Sequence, residues 1–268
     1  MANIKDTPLY QKLRYRARAM KYARRVDPDE IRFLRRLLKP GDLAIDVGAH
    51  KGGYVYWMQK AVAPSGKVLV FEPQKELAEY LNYIKGIFRF AQVEVVETAL
   101  SNTSGTRSLF SPSSRVSTGA TLVENLFPEN DAVDQVEVIT LDEYFSYRTD
   151  LHPPRFIKID VETHELEVLE GGREVLETAR PVVLLEADQH VYGERPIFKI
   201  FEFLALLRFD GFFFFNKKLR PLEEFDLSMH QPPELKENPN HPGFANNFIF
   251  LDGAREAQIL RRYGRSSN

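Results

Sequence analysis

Hydrophobic positions follow two periods along the chain, and the change from one to the other outlines the fold. Residues 9–25 contain no glycine or proline, and Leu9, Leu13, Ala17 and Met20 recur at helical spacing among arginines and lysines, which predicts one amphipathic helix. Asp27 then precedes Pro28 as an N-cap before a first-turn proline. Ile31, Phe33, Leu34, Leu37 and Leu38 give a second helix its buried face until Pro40 and Gly41 stop it.

Beyond residue 40, short apolar runs alternate with helical patterns, as parallel strands joined by crossover helices do. Strands are predicted at 43–47, 67–71, 93–97, 155–159 and 182–186, and helices over 53–63, 74–86, 162–179 and 196–207. Between the third and fourth strands the pattern gives a turn at Ala99, Leu100 and Ser101 and a short strand after Gly105. VEVITLDEYF then reads as a strand running into a capped short helix. Residues 212–215 and 247–251 flank the polar, proline-rich stretch 221–243 and read as an antiparallel pair closing one edge. The expected architecture is α/β: a doubly wound, Rossmann-like sheet, mostly parallel with an antiparallel edge, preceded by N-terminal helices. Residues 1–39 form a basic helical extension and residues 40–268 the main domain. With 43% hydrophobic and 12% aromatic residues, the 268-residue chain has material for one sizeable core.

Charge adds a feature that hydropathy does not show. The net charge is only -2, but residues 1–39 hold 12 Lys+Arg against 4 Asp+Glu, and the remainder holds 24 against 34. The basic helix at 9–25 suits an anionic membrane surface or an anionic, lipid-linked acceptor. Packing of its apolar stripe on the core, with the charges merely solvated, explains the same letters. The chain has no cysteine, which excludes disulfides, thiolate catalysis and zinc–thiolate sites. No run approaches the roughly 18 apolar residues of a spanning helix, and the first residues lack a secretory apolar stretch. A cytoplasmic location is therefore expected, with peripheral contact at the inner membrane surface through residues 9–25.

Candidate chemistry sits at the predicted strand ends. In LAIDVGAHKGGY, residues 43–54, a strand delivers Asp46 and then passes Gly48, Gly52 and Gly53 into a helix, a pattern that lets backbone approach a nucleotide-like ligand. His50 replaces the second glycine of the dinucleotide fingerprint, which weighs against a nicotinamide cofactor, although an NAD-dependent sugar enzyme stays an alternative. Glu72, just before Pro73, ends the second strand where a carboxylate can accept both hydroxyls of a ribose. Asp160 ends the strand of FIKIDVETHELEVLEGG at the sheet's carboxyl edge, with His164 one helical turn on. Glu186, Asp188 and His190 follow the last parallel strand. With Asp160 they read as an oxygen-and-imidazole metal set or, preferred here, as polar lining of a substrate pocket without metal. Arg115, in the polar loop 113–121, is a candidate for holding a phosphate or acidic sugar.

DVGAHKGGY, VFEP, TALSNTSG, ITLDEY and KIDVETHELEVLEGG occur in that order, and together they resemble the FkbM family of methyltransferases. The resemblance implies a Rossmann-like fold, S-adenosylmethionine as methyl donor, and a hydroxyl of a sugar, glycan or small natural product as acceptor. It implies that Asp46, Gly48 and Gly52 hold the methionine part, with His50 beside the cofactor and Tyr54 able to reach the methionine carboxylate. It also places Glu72 on the ribose, Ala99 and Ser101 beside the adenine, and Asp160 near the transferred methyl. Asp160 is the first candidate for general base and His164 the second. Thr163 departs from the glycine common in the family after Asp-x-Glu, and its side chain is expected to narrow the acceptor pocket. RNA methylation, suggested by the basic N-terminus, and a non-catalytic binding module of the same fold are the alternatives. The first lacks the aromatic interleaving of single-strand binders, so nucleic acid is not the expected partner.

Overall fold

The computed structural model describes residues 7–112, 119–124, 126, 130–238 and 241–264. The chain begins with α1 (Pro8–Lys21), a π-helical turn (Tyr22–Val26) and α2 (Pro28–Leu37). The next units are β1 (Leu43–Val47), α3 (Val55–Val62), β2 (Lys67–Phe71), α4 (Lys75–Phe88) and β3 (Val93–Val96). After β4 (Ala99–Leu100), β5 (Gly105–Pro112), β6 (Asn130–Ile139) and α5 (Leu141–Ser146), the chain re-enters the main sheet as β7 (Phe156–Ile159). It continues through α6 (Glu165–Glu170), α7 (Arg173–Ala179), β8 (Val182–Glu186), α8 (Gln189–Tyr192) and α9 (Phe198–Leu206). The last sheet strands are β9 (Asp210–Phe215), β10 (Lys218–Pro221) and β11 (Asn247–Leu251).

The main sheet runs β10-β9-β11-β8-β7-β1-β2-β3. From β3 to β8 neighbouring strands are parallel, whereas β11, β9 and β10 pair antiparallel and form the expected edge. The chain leaves β1 in one direction toward β2 and β3 and returns on its other side at β7 and β8. That reversal opens a crevice outside the carboxyl ends of β1 and β7, where open α/β sheets bind ligands.

Alternate strand residues serve two cores. Ala44, Val68, Phe156 and Leu184 pack with α1 to α4, while Ile45, Leu69, Ile157 and Leu185 pack with helices on the opposite face. Both faces are covered, so the central strands read as continuous apolar runs.

Several elements differ from the sequence pattern for local reasons. The helix expected over 162–179 is broken into α6 and α7 at Gly171 and Gly172. A Cβ on Gly171 would meet the Ser101 carbonyl oxygen at 2.0 Å, so the bend keeps this glycine against the β4 end. β5 and β6 leave the main sheet and, with β4, form a three-stranded sheet of their own. Thr140 caps α5 by accepting from the Glu143 amide at 3.0 Å. Asp27 occupies the N-cap position of α2 but makes no side-chain cap. Its carboxylate instead accepts from the Tyr54 hydroxyl at 2.9 Å and from Asn247 at 3.3 Å.

The first helix packs through a face other than the predicted one. Leu9 and Leu13 are exposed, whereas Tyr15 and Ala19 are fully buried. Tyr15 donates its hydroxyl to the Gly52 carbonyl at 2.9 Å, and the Trp57 indole donates to the Ala19 carbonyl at 2.9 Å. Both helices of the extension share one core with α3, α4 and the sheet. None of the described helices is long and apolar enough to cross a membrane.

Tyr15→Ala is expected to lower the unfolding free energy by about 3–5 kcal/mol. Leu13→Ala should change it by no more than about 0.5 kcal/mol. Urea titration of the two variants checks this, and equal losses would place the leucine stripe rather than Tyr15 against the core.

Candidate active site

Asp46 and Lys158 are register partners on β1 and β7, so their side chains project from the same face of the sheet. Lys158 is buried, and its ammonium pairs with Asp160 at 2.8 Å while standing 4.9 Å from the centre of the Tyr54 ring. Burial opposes its charge, but Asp160 and Asp46 outweigh that cost and hold it charged, above its ordinary range. Asp46 is 1% exposed and its Oδ1 has no hydrogen-bond partner. Burial pushes its pKa up to about 6, against the pull of Lys158.

The turn after β1 is shaped by contacts that exclude side chains. Gly48 has φ of 75°, and a Cβ there would lie 1.9 Å from the Asp160 carbonyl oxygen, so β1 and β7 could not close together with any other residue. His50 follows in a left-handed conformation, and its amide donates to Glu72 Oε2 at 2.7 Å. Glu72 Oε1 accepts from the Gln74 amide at 3.0 Å. Glu72 thus ties the β1 turn to the end of β2, and burial raises its pKa to about 7. The Tyr15 ring lies against Gly52 and the Tyr22 ring against Gly53, so the N-terminal extension forms one wall of the site.

Two adjoining cavities meet here. One is lined by Phe71, Ala99, Leu100 and Leu109 together with Glu72 and His50. The other is polar and is lined by Asp46, His50, Tyr54, Lys158, Glu162 and Glu186. Asp160 borders both, and it also borders a smaller recess with Thr163, Glu165, Glu186 and Asp188. Its side chain is 33% exposed, and Oδ2 meets Lys158. Glu162, left-handed at φ 52° and bordering all three cavities, has its pKa raised to about 8 by burial and then by Asp160 and Glu165.

The structure therefore brings Asp46, Gly48, His50, Tyr54, Glu72, Ala99, Asp160, His164 and Glu186 to connected cavities. Some take other partners than expected. The Tyr54 hydroxyl is bound to Asp27, so only its ring faces the polar cavity. Ser101 is fully buried and lines neither cavity, with its hydroxyl 2.8 Å from His164 Nε2. Burial, then Arg107 and Arg195, lower the His164 pKa to about 4, and its Nδ1 makes no hydrogen bond. Gly52 shapes the turn from behind, against Leu81 and Tyr15, and lines neither cavity. His190 is exposed and stacks on Phe244 with Nε2 2.9 Å from the Gln231 carbonyl, away from the crevice. Arg115 lies outside the described residues.

Thr163 lines the recess beside Asp160. It is 2% exposed and adopts φ of 70°, a conformation suited to glycine and uncommon for a β-branched residue. Among the described residues, no three acidic or imidazole side chains converge as a metal-ligand set. Lys158, Glu162 and Tyr22 belong to the site without having been singled out from sequence. A lysine within FIKI is the one signal available, because a central parallel strand is covered on both faces and must enclose every side chain it carries.

No curated protein matches the chain. Among solved structures it resembles an FkbM methyltransferase from Methylobacillus flagellatus KT, at 13% identity and TM-score 0.50 over 89% of this chain and 59% of that one. The chain thus spans under two thirds of that protein's length. It also resembles a SAM-dependent methyltransferase from Aquifex aeolicus, at 15% identity and TM-score 0.46 over 91% of this chain and 97% of that one. A SAM-dependent O-methyltransferase from Thermotoga maritima matches at 14% identity and TM-score 0.42, over 91% and 71%. At 13% identity the likeness to the Methylobacillus protein speaks for the fold, and the family follows from sequence: the model of the methyltransferase FkbM domain matches residues 46–214, and the chain belongs to that family.

Proposed function

We propose that this chain transfers the methyl group of S-adenosylmethionine to a hydroxyl of a sugar, glycan or small natural product. The observation that carries the reading is the position of Asp160, whose partly exposed carboxylate borders both an apolar and a polar cavity at the switch point of the sheet. Residues around that junction fit the cofactor. Phe71, Ala99, Leu100 and Leu109 suit an adenine ring, and Glu72 retains lone pairs for ribose hydroxyls beyond the two amides it already accepts. Asp46 Oδ1 and His50 Nε2, both buried without partners, and the charged Lys158 suit an amino-acid ammonium and carboxylate. Once bound, the sulfonium supplies an electrophilic methyl group.

The chain's own contribution is placement and proton removal. Lys158 holds Asp160 through Oδ2, which fixes the rotamer and leaves Oδ1 to take the acceptor's hydroxyl proton as the new carbon–oxygen bond forms. Glu162 and Glu186 both line the polar cavity and offer acceptors to further hydroxyls, which favours a polyhydroxylated acceptor. His164 is neutral near pH 7 and engaged with Ser101, so it supports the pocket wall instead of competing for that proton.

Asp46→Asn and Glu72→Gln are each expected to weaken S-adenosylmethionine binding roughly tenfold or more, since each removes a charge-assisted contact worth about 1.5–3 kcal/mol. Calorimetric titration reads the loss, and wild-type affinity in both variants would move the pocket elsewhere.

Asp160→Asn should retain cofactor affinity within a few-fold while turnover falls by about 10²–10⁴. Turnover measured at saturating acceptor decides it; an unchanged rate would remove Asp160 from the proton-accepting role and transfer that role to His164.

A further inference from the structure

The leucine stripe of α1 has no place in the core. Tyr15 and Ala19 are the fully buried residues of this helix, while Leu9 is 68% and Leu13 57% exposed, and Ala17 is exposed with them. Recurring every fourth residue, these three share one face, and at about 100° per residue that face points away from Tyr15 and Ala19. Packing on the core, which would account for the stripe, is thereby excluded. A lone surface leucine is ordinary, whereas two in line on one helix leave a connected apolar strip.

Cations frame that strip. Arg16 stands on the flank toward α4, where it and Lys12 lie over the Phe88 ring, and the helical spacing puts Arg14 and Lys21 on the other flank. Arg14, Arg16 and Lys21 are exposed, and neither α1 nor the π-helical turn after it contains an aspartate or glutamate. A helix lying in a lipid headgroup layer has this cross-section: an apolar strip turned toward the acyl chains, with Lys and Arg on both sides reaching anionic headgroups. The same cross-section disfavours a second copy of the chain, because pairing two strips would bring their flanking cations together. A nucleic acid would use the cations and leave the leucines idle.

We infer that the exposed face of α1 docks on an anionic lipid bilayer, with Leu9 and Leu13 entering the headgroup layer and Arg14, Arg16 and Lys21 meeting lipid phosphates. The helix is firmly tied to the site, since the Tyr15 hydroxyl bonds the Gly52 carbonyl and the Trp57 indole bonds the Ala19 carbonyl. Tyr22, directly after α1, lines the polar cavity. Docking therefore holds the cavities close to the bilayer. On the methyl-transfer reading that placement serves an acceptor carried by a lipid; the docking itself does not depend on that reading.

Co-sedimentation of the full-length protein with lipid vesicles tests the inference. The wild type should sediment with mixed phosphatidylglycerol and phosphatidylcholine vesicles at low salt, and should stay in solution with phosphatidylcholine alone or at high salt. The double variants Leu9→Gln/Leu13→Gln and Arg14→Gln/Arg16→Gln should each partition about tenfold more weakly or worse. Leu206→Gln, which changes another exposed leucine on α9, should stay within about twofold of the wild type. All the exchanged side chains are exposed, so the variants keep the fold, and their thermal melts check it. Failure of the wild type to sediment, or undiminished sedimentation of either double variant, overturns the proposal. So does a wild-type dimer that the leucine variant splits in light scattering, since the strip then belongs to a second copy. S-adenosylhomocysteine, titrated without vesicles, should bind the wild type and the leucine variant alike; if it does not bind the wild type the methyl-transfer reading falls, and sedimentation still decides the docking.

Discussion

The buried ammonium of Lys158 stands among the carboxylates of Asp46, Asp160 and Glu186 where β1, β7 and β8 end. Burying one uncompensated charge costs several kcal/mol, and removing a partner from a buried pair typically costs about 3–5 kcal/mol. The strand ends can carry so many acids side by side only because this lysine offsets part of their charge. The offset is incomplete. Burial and mutual repulsion still raise the pKa of Asp46, Glu162 and Glu186, which leaves the cavity with an excess of carboxylates over cations. That imbalance suits a cationic ligand, and it explains why the polar cavity is built from groups that disfavour their own ionisation when the cavity is free.

The N-terminal extension is coupled to this centre by hydrogen bonds and ring contacts. Asp27 reaches Tyr54, whose ring lies beneath the Lys158 ammonium, and Tyr22 packs edge-on against the same tyrosine. Tyr15 and Trp57 fix α1 to the turn and helix that follow β1. Residues drawn from the basic end of the chain thus hold the glycine turn in place.

Much of this architecture was legible from periodicity. Strands 43–47, 67–71 and 182–186 end where the apolar runs end, because turn residues there stop the pairing. Asp46, Glu72 and Asp160 were recognisable because acids at the ends of buried parallel strands have few structural reasons to be there. The packed face of α1 was not, since Leu9 and Leu13 mark a stronger hydrophobic stripe than Tyr15 and Ala19, and only the position of Gly52 selects between them. The break at Gly171 was hidden for the same reason: it answers to the Ser101 carbonyl, which is distant in sequence. The hydroxyls of Ser101 and Tyr54 are engaged by His164 and Asp27, partners that no local pattern reveals.

The excess of carboxylates sets a sign for pH dependence. Burial lifts Asp46 to about 6, Glu72 to about 7 and Glu162 to about 8, so their contribution to the stability of the free protein is present at low pH and is lost as pH rises through that window. Affinity for a cation runs the other way, because each carboxylate attracts it only once ionised. S-adenosylmethionine and S-adenosylhomocysteine share their amino and carboxyl groups and differ in the charge on sulfur, so the ratio of their affinities isolates the effect of the sulfonium. Measured by calorimetry from about pH 6 to about pH 8, that ratio should rise in favour of S-adenosylmethionine and rise less in Asp46→Asn. A ratio that stays flat or falls over this range would contradict a cavity charged to receive a cation.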